Sequence, residues 1–498
     1  MIAYKKDLNI PIKYLFSLFS ILFILHRLTT TVADTDLWGY MSFGRLFWTS
    51  NGFPYSDVFS YVPTLNVWVY HEWLTGLFFY SIYETFSFPG LQVLKYGLGF
   101  FTLVLVYLTS RQRGSSPLSA GLAVLAIVGL LRMGYSPVRA QIFTYCFFSL
   151  TFFLLEKSRI TYQWRILWVL IPILTLWCNL HGGFVAGLGL IGLYALGEMI
   201  SGRSSFNYWI ILLFSALATI INPYGFEYWK YMFEAVAMPR PMISEWASVL
   251  TSFQAGNEKG IIVYFVVLNL FALIWMIRKQ ELTGGLVLAI TMFLGWRHLR
   301  HIPFFTLIFG VFFADLISGY IIDFKVRFKH FSSRLVPIVT ITGLGISLIF
   351  LSYDTLRQDP FTLKTPPNPG IEKETTVYYP MGAIEYIRKN NLSGNLLTHF
   401  DWGEYAMWAL YPRCKVALDG RFEAVYSSDV FKSYFSFLFG EDNWEEFIDK
   451  YPPDFILIEA SSRVTSFIRN DLRWEQIYVD SGCILFKRNL LSSMRQDS

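Results

Sequence analysis

Long apolar runs broken by short polar segments fill the first 352 residues. A helix that crosses a bilayer needs about 20 mostly apolar residues. Runs of that kind lie near 14–32, 90–109, 117–134, 140–155, 164–180, 183–200, 206–222, 260–277, 283–297, 302–322 and 335–352. One more apolar stretch, 71–86, would span only about 24 Å as a helix. That is short for the hydrocarbon core, so the stretch reads as a surface helix. Between 33 and 52, Leu37, Tyr40, Met41, Gly44, Phe47 and Trp48 recur at helical spacing. This predicts a short amphipathic helix lying in the membrane interface.

The pattern changes after residue 352. A proline-rich linker over 353–379 leads into short apolar strands that alternate with helical patterns. The strands are expected at 395–398, 415–418, 455–458, 474–479 and 483–486. Residues 380–498 therefore read as a small α/β domain. The expected fold class is a polytopic α-helical membrane protein of about eleven spans with a C-terminal extracytoplasmic α/β domain.

Basic residues set the orientation. With 71–86 outside the bilayer and the N-terminus cytoplasmic, the basic linkers all fall on one side. They carry Arg111, Arg113, Lys157, Arg159, Arg165, Arg203, Arg278, Lys279, Lys325, Arg327, Lys329 and Arg334. The positive-inside rule places that side in the cytoplasm. Residues 33–89 and 223–259 then become external loops, and the C-terminus is external. Lys5, Lys6 and Lys13 precede the first run as in a signal peptide, but no small-residue cleavage site follows, so a retained helix is expected.

Composition agrees. Hydrophobic residues make up 54% of the chain, charged residues 15%, and mean hydropathy is +0.42. The net charge of +5 is too small to argue for a nucleic-acid partner. Four cysteines are too few for a disulfide scaffold, although Cys414 and Cys483 could pair in an external domain.

The orientation puts the polar residues that are hardest to explain on the external side. Asp34 and Asp36, one residue apart, follow the first span. They are candidates for a general base or a divalent metal pair, or one simply caps the helix after it. VYHEWL (69–74) offers His71 and Glu72 for proton transfer or metal ligation, or as a plain interfacial helix start. LRMGYSPVRAQ (131–141) sets Arg132 and Arg139 around a helix break at Pro137, where arginine suits phosphate or snorkels to headgroups. NLHGGFVAGLGLIG (179–192) makes a turn with His181, and its Gly183 and Gly187 favour close helix packing. ISEWAS (243–248) contributes Glu245, which reads as a solvated loop carboxylate. In GWRHLRHIPFF (295–305), Arg297, Arg300 and His301 stand at i, i+3 and i+4, with His298 among them. One helix face with these groups could hold a phosphate or pyrophosphate. In the C-terminal part, Asp401, Asp419 and Arg421 sit at expected strand ends, where open α/β sheets bind ligands. No Walker loop, Rossmann glycine pattern, zinc-type cysteine spacing or internal repeat is present.

The layout resembles the GT-C glycosyltransferases, integral membrane enzymes that use polyprenyl-phosphate-linked sugars. The residues that carry the resemblance are DTDLWGYMSFGR, HEWL, NLHGGF, NPYG, SEW, RHIPFF and LDGR. An acidic motif after the first span, surface helices in a long first loop and a large later loop complete it. FDWGEY partly resembles the WWDYG acceptor motif of oligosaccharyltransferases through Trp402, Gly403 and Tyr405, in a different order. Relatives of the protein mannosyltransferase type carry Asp-Glu where this chain has Asp-x-Asp.

The resemblance implies a polyprenyl-phosphate-sugar donor, a lipid, glycan or protein acceptor, an inverting transfer and a site on the outer face of the bacterial cytoplasmic membrane. Asp34 or Asp36 would be the base. Arg297, Arg300, His301 and Arg139 would hold the donor phosphate. A divalent cation, Mg or Mn, held by Asp34 and Asp36 would do similar work. Two other classes fit less of the pattern. A transporter or flippase would show paired repeats. A non-catalytic scaffold has no use for the acidic motif or the arginines.

Overall fold

The computed structural model describes residues 2–50, 52–135, 137–238, 240, 243–327, 335–367 and 377–489. The expected basic positions Lys329 and Arg334, and residues 368–376 of the expected linker, lie outside these. The chain divides into two compact units. One is helical and comprises residues 1–31, 92–225 and 237–362. The other, of mixed structure, comprises residues 32–91, 226–236 and 363–498. In this division the first long loop groups with the C-terminal sheet.

Every expected span falls on helix. Among the described residues, six helical segments are long and apolar enough to cross a bilayer: Pro11–Leu28, Trp73–Gln112, Pro117–Tyr135, Lys259–Lys279, Leu299–Tyr320 and Val336–Arg357. Trp164–Leu180, Phe184–Ile200, Phe206–Ala218 and Leu282–Arg297 are apolar but shorter. The chain is a membrane protein with several apolar helices. Trp73–Gln112 runs as one helix with a break at Ser87, whose φ is 53°. Pro89 follows two residues later, so the break separates the surface stretch from the span expected after it.

Within the helical unit, small residues let backbones approach. A Cβ on Gly187 would lie 2.4 Å from the Trp177 ring, and one on Gly310 2.7 Å from Ile127. The packing reading of Gly183 and Gly187 holds, since a Cβ on Gly183 would meet Thr144 at 2.4 Å. Several of the basic linker residues are internally paired. Arg113 binds Glu156 and Glu281, Arg159 binds Glu198 and Glu281, and Arg203 binds Glu198.

Among the described residues of the mixed unit, five strands form one sheet of order β2-β1-β3-β5-β4. They are β1 (Gly394–Thr398), β2 (Cys414–Val416), β3 (Phe455–Glu459), β4 (Trp474–Val479) and β5 (Cys483–Arg488). β2 and β3 flank β1 in parallel, while β5 runs antiparallel to β3 and β4. All four cysteines are buried and none forms a disulfide. The Cys414–Cys483 bond that the sequence left open is not made. Cys414 opens β2 and Cys483 opens β5, three strands apart, and at about 4.8 Å per strand they lie at least about 14 Å apart. A disulfide reaches only about 7 Å between Cα atoms.

The Leu37–Thr49 helix also departs from expectation. Residues Leu37, Trp38, Gly39, Tyr40, Met41, Ser42, Phe43 and Gly44 are all buried, so its first two turns are enclosed on every side. It packs against the Gly403–Leu410 helix and crosses the start of Trp73–Gln112, where a Cβ on Gly44 would be 2.3 Å from the Gly76 carbonyl oxygen. Two glycines and a run of aromatics thus make it a core helix and not an interfacial one.

A buried ion network joins the first loop to the sheet. Arg421, with its side chain 1% exposed, donates to Asp419 at 2.8 and 2.7 Å and also to Asp57. Ser60 and Tyr426 complete it through a 2.7 Å hydrogen bond. Burial pushes the Asp57 carboxyl up, but the charge and hydrogen bonds of Arg421 outweigh it and hold the group below its usual range. Arg421→Met would leave two buried carboxylates uncompensated, at an expected cost of about 3–5 kcal/mol. Thermal unfolding of the full chain in detergent measures this. A carboxyl depressed on folding contributes stability above its unfolded value of about 4. That contribution is lost as pH falls through the folded value, and Asp57→Asn should flatten this acid limb.

Candidate functional site

The acidic motif belongs to the mixed unit. Asp34, Thr35 and Asp36 are half-buried in a turn where the Asp36 N–H donates to Asp34 Oδ1 at 3.1 Å. Asp36 is the N-cap residue of Leu37–Thr49, yet its side chain makes no cap hydrogen bond. Capping by Asp36 is therefore set aside, while the Asp34 carboxylate takes the N–H two residues on as an N-cap side chain would. The N–H of Gly39, which an N-cap side chain would ordinarily take, donates instead to Glu404 Oε2 at 2.9 Å.

Sequence reasoning passed over Glu404, which lies inside FDWGEY and is 5% exposed. A signal was available. Met407 and Trp408, three and four residues on, share its side of the same helix, so a carboxylate sits on an apolar face. Burial, and then Asp36 and Asp419, push the Glu404 carboxyl well above its ordinary value. Gly420 makes room for this meeting of acids. A Cβ there would lie 2.9 Å from Glu404 Oε1 and 3.5 Å from Asp36 Oδ1.

The other candidates of this unit lie apart in role. Asp419 and Arg421 are closed inside the buried network and serve to hold the unit together. Asp401 is exposed, and its N–H donates to His399 Nδ1 at 3.3 Å. His71 stacks on Tyr231 at 5.2 Å, with 3.1 Å between Nδ1 and the hydroxyl, and its Nε2 is 3.7 Å from Glu72. Among the described residues no group of three or more His, Cys, Asp or Glu side chains is arranged to hold a metal ion. One Asp34 oxygen and one Glu404 oxygen are already engaged by backbone N–H groups. The donor set does not fit a Mg or Mn site, and no step is routed through one.

The basic cluster belongs to the helical unit. Arg297, Arg300 and His301 do not share one helix face. The Leu282–Arg297 helix ends at Arg297, His298 is extended at φ −147°, ψ 131°, and a short 3-10 turn, Leu299–His301, precedes the next helix. Pro303, just inside that next helix, is the sequence signal for the restart. Arg297 is exposed at the helix end.

His298, Arg300 and His301 instead gather on Trp246. Arg300 and Arg240 lie over its ring at 4.4 and 4.7 Å, and the rings of His298 and His301 meet it edge-on at 5.3 and 6.2 Å. His298 Nδ1 lies 2.6 Å from the Trp246 carbonyl oxygen, and the Leu299 N–H donates to Ala247 O at 3.1 Å. Next to Trp246, Glu245 is not a solvated loop carboxylate. It receives Arg139 Nη1 at 2.7 Å. Against burial, which raises it, Arg139 and Arg300 hold the Glu245 carboxyl below its usual range. His181 is a core histidine, its Nδ1 2.7 Å from Thr144 Oγ1 and 2.8 Å from the Gly183 N–H. Arg139, Arg240 and Arg300 thus gather beside Glu245 and Trp246, and guanidiniums are the groups that suit an anion with more than one oxygen.

No family model matches the chain, and no curated protein matches it. Solved structures do. Archaeoglobus fulgidus oligosaccharyltransferase tethered with an acceptor peptide aligns over 96% of this chain and 74% of its own, at TM-score 0.54 and 11% identity. The same enzyme in complex with Zn and sulfate aligns over 96% and 73%, at TM-score 0.53 and 13% identity. ArnT from Cupriavidus metallidurans, bound to undecaprenyl phosphate, aligns over 95% and 97%, at TM-score 0.51 and 11% identity. The chain has the fold of these GT-C glycosyltransferases.

Trp246 is the ring on which two guanidiniums rest, and such contacts contribute about 0.5–2 kcal/mol each. Trp246→Leu should lower the thermal unfolding midpoint of the detergent-solubilised chain, whereas Trp246→Phe, which keeps an aromatic face under both guanidiniums, should retain most of it. Thermal unfolding followed by intrinsic fluorescence or calorimetry checks both.

Proposed function

We propose that the chain moves a sugar from a polyprenyl-phosphate-linked donor to a lipid, glycan or protein acceptor at the outer face of the bacterial cytoplasmic membrane. The observation that carries this is the shared fold along almost the whole chain with ArnT bound to undecaprenyl phosphate. The likeness to an oligosaccharyltransferase tethered with an acceptor peptide supports an acceptor on the same kind of scaffold. The orientation, N-terminus inside and C-terminal sheet outside, follows from the basic linkers.

In the mixed unit, Asp36 would take the proton from the acceptor hydroxyl. Asp34 shapes the turn, because its oxygen already accepts the Asp36 N–H. In the helical unit, Arg300, His301 and Arg139 would hold the lipid phosphate. The acceptor oxygen forms the bond to the anomeric carbon, the bond from that carbon to the phosphate oxygen breaks, and the lipid phosphate leaves with the electron pair. Positive charge on the leaving phosphate stabilises the transition state, where negative charge grows on that oxygen. The resemblance implies inversion at the anomeric carbon.

The test is transfer of a radiolabelled sugar from a polyprenyl-phosphate donor. Asp36→Asn should lower turnover by about 10²–10⁴-fold, the usual contribution of a general base, with donor binding retained. Asp34→Asn should cost far less, because the Asn amide oxygen can still accept the Asp36 N–H. Near-normal transfer by both variants would remove the catalytic assignment.

A further inference from the structure

An α-helix begins with N–H groups that have no partner within the helix, and the N-cap side chain commonly takes the one at the second or third position. In the Leu37–Thr49 helix, Asp36 is well suited by type to do so. It does not. Its backbone is helical, at φ −71° and ψ −17°, and not in the β region usual for a cap, and its carboxylate makes no bond to the first turn. Gly39 holds the third position. Its N–H goes to Glu404 Oε2 at 2.9 Å, a residue 365 positions away in sequence.

Three glycines make this contact sterically feasible. A Cβ on Gly39 would lie 2.5 Å from Glu404 Oε2. A Cβ on Gly403, next to Glu404, would lie 2.5 Å from the Leu418 carbonyl oxygen. A Cβ on Gly420 would press on Glu404 Oε1 at 2.9 Å and reach Asp36 Oδ1 at 3.5 Å. The Gly403–Leu410 helix therefore delivers Glu404 to the start of the other helix, alongside the Asp36 carboxylate.

We propose that Glu404 is a positioning residue: it caps the Leu37–Thr49 helix from outside and so keeps the Asp36 carboxylate out of the cap and turned toward the acceptor. The inference rests on the assignment of Asp36 as the base. With Glu404 removed, the Gly39 N–H has one ready replacement, the Asp36 side chain, because aspartate is among the best N-caps. Asp36 then rotates into its own helix and is lost to the reaction.

The experiment uses the full chain in detergent or nanodiscs. Glu404→Gln keeps a side-chain oxygen for Gly39 and should retain transfer within about threefold, since glutamine can accept the same bond. Glu404→Ala should lower turnover about 10²-fold, the lower end of a base's contribution, with the KM for the lipid donor unchanged. Hydrogen exchange over residues 37–44 reads the cap without any activity. Asp36→Ala alone should leave the Gly39 amide protected, Glu404→Ala should leave it protected by the substitute cap, and the double variant should expose it. Loss of protection in Asp36→Ala alone would overturn the inference, as would wild-type transfer by Glu404→Ala or failure of Glu404→Gln to rescue. A wild-type chain that transfers no sugar but shows the expected exchange pattern would refute the function and leave the cap exchange standing.

Discussion

A guanidinium cannot be buried without partners, and Arg421 is almost wholly buried. The several kcal/mol that desolvating such a charge costs must be offset by carboxylates held at close range. Asp419 is two residues away, but the other carboxylate, Asp57, comes from the first long loop. The mixed unit is therefore assembled from pieces that begin and end the chain. Ser60 pairs with Val416 in a β-bridge, Val32 pairs with Lys364, and the Tyr379 hydroxyl donates to Ala33 O at 2.9 Å. Each engages the backbone of the other segment and depends on the segments being in register. The ion network fixes that register, because a shift of either partner would strand a charge.

Once that register is set, the glycines decide which side chains can meet. Gly39, Gly403 and Gly420 stand where a methyl group would collide with a carboxylate or a carbonyl oxygen. Their effect is to let acids approach one another in a setting that otherwise opposes it. Asp36 and Asp419 both disfavour the charged form of Glu404, and burial does so more. A polypeptide assembles such a group only where something compensates, here a backbone N–H and the neighbouring arginine network.

Much of the fold could be read directly from the chain. Apolar runs of span length mark the membrane helices, and the short apolar runs at 394–398 and 455–459 mark central strands, because strands buried on both faces read as continuous apolar segments. The break before Pro89 was legible as two separate elements. Side-chain partnerships were not, because they are long-range. Arg300 and His301 were singled out on an i, i+3, i+4 argument that assumed an unbroken helix, and His298 interrupts it, with Pro303 beyond as the one cue. Glu245 looked idle because its partner, Arg139, is over a hundred residues away. Glu404 was invisible for the same reason. The Leu37–Thr49 helix was given one wet face because its polar positions are few and its glycines read as neutral. In the fold those glycines are the contact surface.

The two ion patterns of the helical unit separate structure from chemistry. Arg113, Arg159 and Arg203 meet Glu156, Glu198 and Glu281 in equal number, and each glutamate is shared or doubly bonded. Such a matched set neutralises itself and holds helices together. Around Trp246, the guanidiniums of Arg240 and Arg300 lie on an aromatic face, and Arg139 pairs with Glu245. An aromatic ring orients a guanidinium while leaving its net charge in place, whereas a carboxylate cancels it. A cluster proposed to receive an external anion would draw on charge kept in this way. In the helical unit the same arginine side chain meets carboxylates in one place and an indole in the other.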